Sequence, residues 1–140
     1  MAGTTFTFSQ PGLYISRVTI TDPAGNRTVS TAVVQVLATA ALDALLQGKW
    51  TNFKNALRTG DISAVLEFIT VGTRGGYQQV FSAISSQLSA IDAILPPITP
   101  VETFAGSATY NTTRVDGGVT KAFTVRFVVD ADGIWRIQSF

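Results

Sequence analysis

Apolar and polar positions alternate from Thr4 to Leu37. Phe6 and Phe8 share one parity, followed by Leu13, Ile15, Val18 and Ile20, then Val29, Val34 and Val36 with Thr and Ser between them. β-Branched residues at period two predict strands, and two turn clusters interrupt them, Gln10-Pro11-Gly12 and Asp22-Pro23-Ala24-Gly25-Asn26. Pro23 fixes φ, and Gly25 and Asn26 accept positive φ at low cost. The pattern predicts about three strands, with a hairpin from Leu13 to Leu37 as its clearest part.

From Ala40 the period changes to 3.6. Leu42, Leu45, Leu46, Trp50, Phe53 and Leu57 form one stripe of a first helix, which Gly60 ends at its C′ position. Asp61 reads as the N-cap of a short second helix carrying Ile62, Val65, Leu66 and Ile69. A third helix is predicted from about Gly76 to Leu95, with Tyr77, Val80, Phe81, Ile84, Leu88, Ile91 and Leu95 on one face, stopped by Pro96-Pro97.

Alternation then returns. Ile98 to Phe104, Ser107 to Val115, Val119 to Val129 and Ile134 to Phe140 read as four strands, turned at Ala105-Gly106, Asp116-Gly117-Gly118 and Asp130-Ala131-Asp132-Gly133. In the third of these, Val119, Phe123, Val125, Phe127 and Val129 point one way and Ala122, Thr124, Arg126 and Val128 the other. The predicted fold class is α+β: three helices packed on a curved antiparallel sheet, preceded by an N-terminal β-hairpin segment. The domain division read from the change of period is 1–38 and 39–140. No repeat of 20–50 residues and no low-complexity tract interrupts it.

Composition narrows the chemistry. The 140 residues contain no Cys and no His, which removes thiol nucleophiles, thiolate metal sites, the usual general base and every Ser-His-Asp arrangement. Ten Lys and Arg against nine Asp and Glu, scattered along the chain, give no basic stripe for phosphate neutralisation, so nucleic acid is not an expected partner. The longest apolar stretch, Ala32 to Leu46, is broken by Gln35, Thr39 and Asp43 and is shorter than the roughly 20 residues of a spanning helix, so membrane insertion is not expected. The first residues carry neither a positive n-region nor an apolar h-region, so no secretory signal is read in this chain. Low charge with abundant Thr and Ser nonetheless has the character of bacterial surface and secreted proteins.

Two stretches resemble known families. Phe8-Ser9-Gln10-Pro11-Gly12-Leu13-Tyr14-Ile15, continuing through Val18-Thr19-Ile20-Thr21-Asp22-Pro23-Ala24-Gly25-Asn26-Arg27, resembles the closing hairpin of bacterial immunoglobulin-like or PKD-type domains, with their F-x-x-P-G-x-Y and D-x-x-G-N spellings. It covers about the final third of such a domain, which needs about seven strands in roughly 100 residues. From about Leu42 to Phe140 the chain is similar to the nuclear transport factor 2-like superfamily (SnoaL-like, cystatin-like cone). The phrases are Trp50-Thr51-Asn52-Phe53-Lys54-Asn55-Ala56-Leu57-Arg58-Thr59-Gly60-Asp61, Tyr77-Gln78-Gln79-Val80-Phe81 and Asp130-Ala131-Asp132-Gly133-Ile134-Trp135-Arg136-Ile137. That order of parts is similar to the C-terminal ends of large bacterial surface proteins. The second resemblance implies a cone fold that hosts isomerases, cyclases, dehydratases and inert binding modules alike. Its enzymes place an Asp, often with His or Tyr, inside the cone.

With His absent, such chemistry would rest on Asp, Glu or Tyr. Asp43 lies opposite the apolar stripe, Asp61 reads as a cap and Asp92 adjoins a helix end, so all three are expected to be solvated or capping. Asp116, Asp130 and Asp132 fall in turns; a D-x-D-G spelling echoes part of a calcium loop, but the remaining ligands are missing. Arg114, Arg126 and Arg136 lie on successive strands, where they would either line a pocket mouth for an anion or be solvated or edge-protecting charges, the second reading being favoured. Trp50, Phe53, Tyr77, Phe81, Phe123, Phe127 and Trp135 are expected core rings. Gly72-Thr73-Arg74-Gly75-Gly76 lacks the Lys and the spacing of a P-loop. Asn26-Arg27-Thr28 and Asn111-Thr112-Thr113 match the glycosylation pattern, a spelling short enough to recur by chance.

The sequence therefore assigns no catalytic, cofactor or metal residue and no cofactor. It points to a non-catalytic structural or protein-interaction module from the C-terminal end of a secreted or surface bacterial protein, partnered by protein or by itself through its N-terminal strands. The alternative is a small-molecule or isomerase/cyclase-like pocket in the cone.

Overall fold

A computed structural model describes residues 6–104 and 106–140. The chain divides into two compact units, one ending at Leu42 and one running from Asp43 to Phe140.

The first unit holds strands β1 (Gly12–Thr21) and β2 (Arg27–Val36), paired antiparallel over their full lengths from Gly12 opposite Val36 to Thr21 opposite Arg27. Asp22 builds the turn: its Oδ1 accepts from the Ala24 and Asn26 amides at 2.9 Å each, and its Oδ2 from the Asn26 side chain at 2.8 Å. These donors, the Asn26 side chain first, hold the Asp22 carboxyl below its ordinary value. Gly25 supplies the positive φ of 86° that closes the turn.

Two strands form here, not about three. Phe6 to Ser9 have no regular structure: Phe8 packs tilted against Tyr14 (ring centroids 4.3 Å apart) and Phe6 meets Phe8 edge-on (4.9 Å). The expected start at Thr4 lies outside the described residues.

The second unit is α+β. Helix α1 (Thr39–Thr59) begins in the first unit and supplies the second with a fully buried stripe, Leu46, Trp50, Phe53 and Leu57, at helical spacing. Gly60 ends it with φ 71°, and Asp61 caps α2 (Ile62–Leu66) by accepting the Ala64 amide at 3.0 Å. The third predicted helix is three pieces: α3 (Arg74–Ala83), a 3-10 segment (Ser85–Ala90) and α4 (Ile91–Ile94). Ile84 leaves helical geometry at φ −100° and ψ 15°, two residues after Ser82, whose hydroxyl donates back to the Gln78 carbonyl at 2.8 Å. The apolar stripe nevertheless continues through Phe81, Leu88, Ile91 and Leu95, all buried.

Strands β3 (Ile98–Phe104), β4 (Ser107–Asp116), β5 (Val119–Val129) and β6 (Trp135–Ser139) form an antiparallel meander in that order. Register shifts at Pro100/Glu102 and Arg126/Phe127 mark bulges, where strands bend. Phe68 to Thr70 adds a parallel bridge beside β6: the Ile137 amide donates to the Phe68 carbonyl (2.8 Å) and the Thr70 amide to the Ile137 carbonyl (3.0 Å). Among the described residues no helix is long and apolar enough to cross a membrane.

Candidate functional site

Cross-strand register sorts the side chains of β4 and β5. Ala108 faces Phe127, Tyr110 faces Val125, Thr112 faces Phe123 and Arg114 faces Lys121. The first two pairs are core, with Phe127 and Val125 at 0% exposure. Beyond them the face opens into a cavity of about 300 Å³, lined by Thr112, Arg114 and Phe123 from the sheet, Val80, Phe81, Ile84, Ile91, Ile94 and Leu95 from the broken third helix, and Phe140. The break at Ile84 lets one apolar stripe bend around this space.

Arg114 is the only ionised side chain in the lining. It is half-buried, lies over the Phe123 ring at 4.6 Å from the centroid, and donates from Nη1 to the Ile94 carbonyl at 3.4 Å. Thr112, buried, spends its hydroxyl proton on the Pro96 carbonyl (3.2 Å). The cavity can hold an apolar body and present one cation to it.

Behind the cavity the interior is solid with rings. Phe140 is their hub: its centroid lies 5.4 Å from Phe53, 5.9 Å from Trp50, 6.4 Å from Phe81 and 4.9 Å from Tyr77, stacked on the last at 14°. Its amide donates to the Tyr77 hydroxyl oxygen at 3.1 Å. Burial raises the Tyr77 pKa, against a smaller lowering by that amide. The Trp50 indole N–H donates to the Pro96 carbonyl at 3.0 Å, so the large ring is buried without an orphan donor. Phe140 and Tyr110 were not among the predicted rings, although the parity of Ala108, Tyr110, Thr112 and Arg114 along β4 could have singled out Tyr110.

The predicted acids scatter. Asp43 corrects the expectation of a solvated carboxylate: it is half-buried and accepts the Tyr110 hydroxyl at 2.8 Å, across 67 residues of sequence. Desolvation first, and then that hydrogen bond, push the Tyr110 pKa up, which keeps the phenol a donor. Asp92 is exposed but engaged by buried Lys54 (2.9 Å) and by Arg58 (2.5 Å), which hold its pKa at about 2, the Arg58 hydrogen bonds contributing most. Asp61 is the cap described above.

Asp130 and Asp132 converge on Arg136, whose Nη1 lies 2.6 Å from Asp132 Oδ1 and 3.3 Å from Asp130 Oδ2. Arg136 also donates from Nε to the Glu67 carbonyl at 3.2 Å. Asp116 is on a different turn, paired with Lys121 at 2.6 Å. Two of the three imagined calcium ligands therefore neutralise an arginine. No cluster of three or more His, Cys, Asp or Glu with metal-holding geometry occurs among the described residues.

The three predicted arginines do not converge. Arg114 is at the cavity, Arg126 is exposed and sits opposite Thr109 in the register, and Arg136 is buried in its aspartate pair. The favoured reading of solvated or edge-protecting charges fits exposed Arg126 but not buried Arg136, nor Arg114 at the cavity. The glycine stretch lines a shallow groove through Gly72, Thr73, Gly76 and Tyr77; Thr73 bonds its hydroxyl to Thr70 (2.8 Å) and leaves the start of α3 without a side-chain cap.

No protein-family model matches the chain, and no curated protein matches it in sequence. A solved structure from Campylobacter jejuni, described as a "Putative NTF2-like transpeptidase", is similar to it at a TM-score of 0.44 and 14% identity, covering 71% of this chain and 98% of that one.

Proposed function

We propose that the chain is a non-catalytic protein-interaction module of a secreted or surface-displayed bacterial protein, and that β1 and β2 are its contact element. The observation that carries this reading is the ribbon's surface. Leu13, Ile15 and Val33 share one face at 68%, 70% and 66% exposure, and Val18 and Ile20 stand on the other at 56% and 61%. A two-stranded ribbon is at best marginal alone, and apolar faces beside unpaired edges drive association with further β structure.

Tyr14 supports an immunoglobulin-like lineage for the ribbon. Its hydroxyl donates back to the Gln10 carbonyl at 2.8 Å, as the tyrosine corner does near the start of strand F in such sandwiches. The nuclear transport factor 2-like reading of the second unit rests on its own order of parts, helices followed by a four-stranded antiparallel meander. For the 140-residue chain in isolation, the partner is a second copy, joined through the ribbon. Light scattering coupled to size exclusion should give a dimer or larger species that Ile15→Lys with Val33→Lys reduces to monomer. A strict monomer whose residues 12–36 resist protease would overturn it.

A second reading has its own observation. The apolar cavity beside Arg114 has the size and lining of a small-molecule site, with no Asp or Glu side chain in its wall to serve as general acid or base. With no such side chain in that lining, it is a binding pocket in this reading, and titration with apolar and amphipathic ligands tests it.

A further inference from the structure

Resting on the pocket reading, we infer that the cavity takes a monocarboxylate with an aliphatic or aryl tail, the carboxylate held by Arg114 and the tail lodged among Ile84, Ile91, Ile94 and Phe123.

Among the described residues Arg114 is the cation that lines the cavity; it shares the lack of a salt-bridge partner with Arg17, Arg27, Lys49 and Arg126, none of which is in that lining. Arg136, Arg58, Lys54, Arg74 and Lys121 each face a carboxylate within salt-bridge distance. Among the described residues Arg114 has no such partner, and its one hydrogen bond, to the Ile94 carbonyl, is long at 3.4 Å. Guanidinium stays charged at any physiological pH and presents a planar fork of donors matched to a carboxylate. The Phe123 ring beneath it fixes where that fork sits and leaves Nε and Nη2 free to donate.

Local charge selects the anion. Lys121, the cross-strand neighbour of Arg114, is compensated by Asp116 at 2.6 Å. Among the side chains of the cavity wall one positive charge is left, that of Arg114, which balances a monoanion. A phosphate monoester, at about −1.5 to −2, would bring more negative charge than the site offsets.

Size and polarity select the tail. A cavity of roughly 150 Å³ holds benzene. The cavity here, about 300 Å³, has room for about twice that body. Its walls away from Arg114 and Thr112 are aliphatic and aromatic, so a polar tail would lose hydrogen bonds to water with nothing in exchange.

Calorimetric titration of the full chain with octanoate and with 1-octanol tests this, because the two share a tail and differ in charge. Octanoate should bind at least about tenfold tighter than octanol, as charge-assisted hydrogen bonds dictate. Arg114→Gln should bring octanoate down to the octanol level and leave octanol unchanged, with Arg114→Lys between. Should Arg114→Gln fail to fold, the lysine variant and the wild-type ratio decide. Equal affinities in the wild type, or octanoate binding undiminished by Arg114→Gln, would overturn the inference and leave an apolar pocket. No binding of either probe would overturn the pocket reading as well. Ile84→Trp, which fills the cavity, should abolish both, and survival of octanoate binding in it would place the anion elsewhere and overturn the assignment.

Discussion

The β1–β2 ribbon and the β4–β5 pair are both long antiparallel ladders of β-branched and aromatic residues, and their side chains end in opposite surroundings. In β5, Val125 and Phe127 reach 0% exposure under the apolar stripes of the helices. In the ribbon, Ile15 and its cross-strand partner Val33 remain mostly in solvent. The ribbon also carries exposed apolar residues on both faces. Alternation writes a strand, but only a second layer makes a core of it.

The largest expected contrast is in side-chain truncation. Phe53→Ala, at the centre of the ring cluster, should cost about 3–5 kcal/mol in denaturant unfolding. If it costs less than half of that, the interior is looser than its packing.

Acid should act next, and most strongly on the second unit. Arg136 holds Asp132, and Arg58 with Lys54 holds Asp92, each at about 2 against an ordinary 3.8. Because the folded values are depressed, this stabilisation is full above about pH 4 and is lost as the pH falls through 2. Calorimetric melting temperatures should drop over that window, and less steeply in Asp132→Asn and Asp92→Asn. An identical drop in both variants would assign acid sensitivity to other groups.

Smaller again is Tyr77→Phe, which strips the Phe140 amide of its acceptor and should cost about 1 kcal/mol by chemical denaturation. The smallest effect belongs to the ribbon. Ile20→Ala, measured where the chain is dilute enough to be monomeric, should change stability by no more than about 0.5 kcal/mol, as at other exposed sites. A cost comparable to Phe53→Ala would show that the ribbon has a buried face and erase the contrast.

Local elements were legible because their causes are local. The 3.6 period from Leu42 to Leu57, the Gly60 stop, the Asp61 cap and the four closing strands each depend on residues within one turn or one ladder. The candidate site was not legible, because its parts meet from afar. Asp43 meets Tyr110, and Arg114 faces a space created where α3 ends at Ile84. An unbroken helix to Leu95 would carry the same apolar residues on a straight face, and the stripe alone does not distinguish the two. Arginine on a strand is likewise silent about its fate: Arg114, Arg126 and Arg136 sit in similar sequence settings, and only the register and the turn aspartates separate them.

Phe140 touches both the cavity and Trp50, which is 1% exposed. The protein therefore holds an intrinsic fluorophore one ring away from the space a ligand would fill. Trp135, the chain's other indole, is half-exposed and should contribute a redder background emission. Loading of the cavity should shift or quench the blue component alone, so occupancy can be read optically from the unlabelled chain.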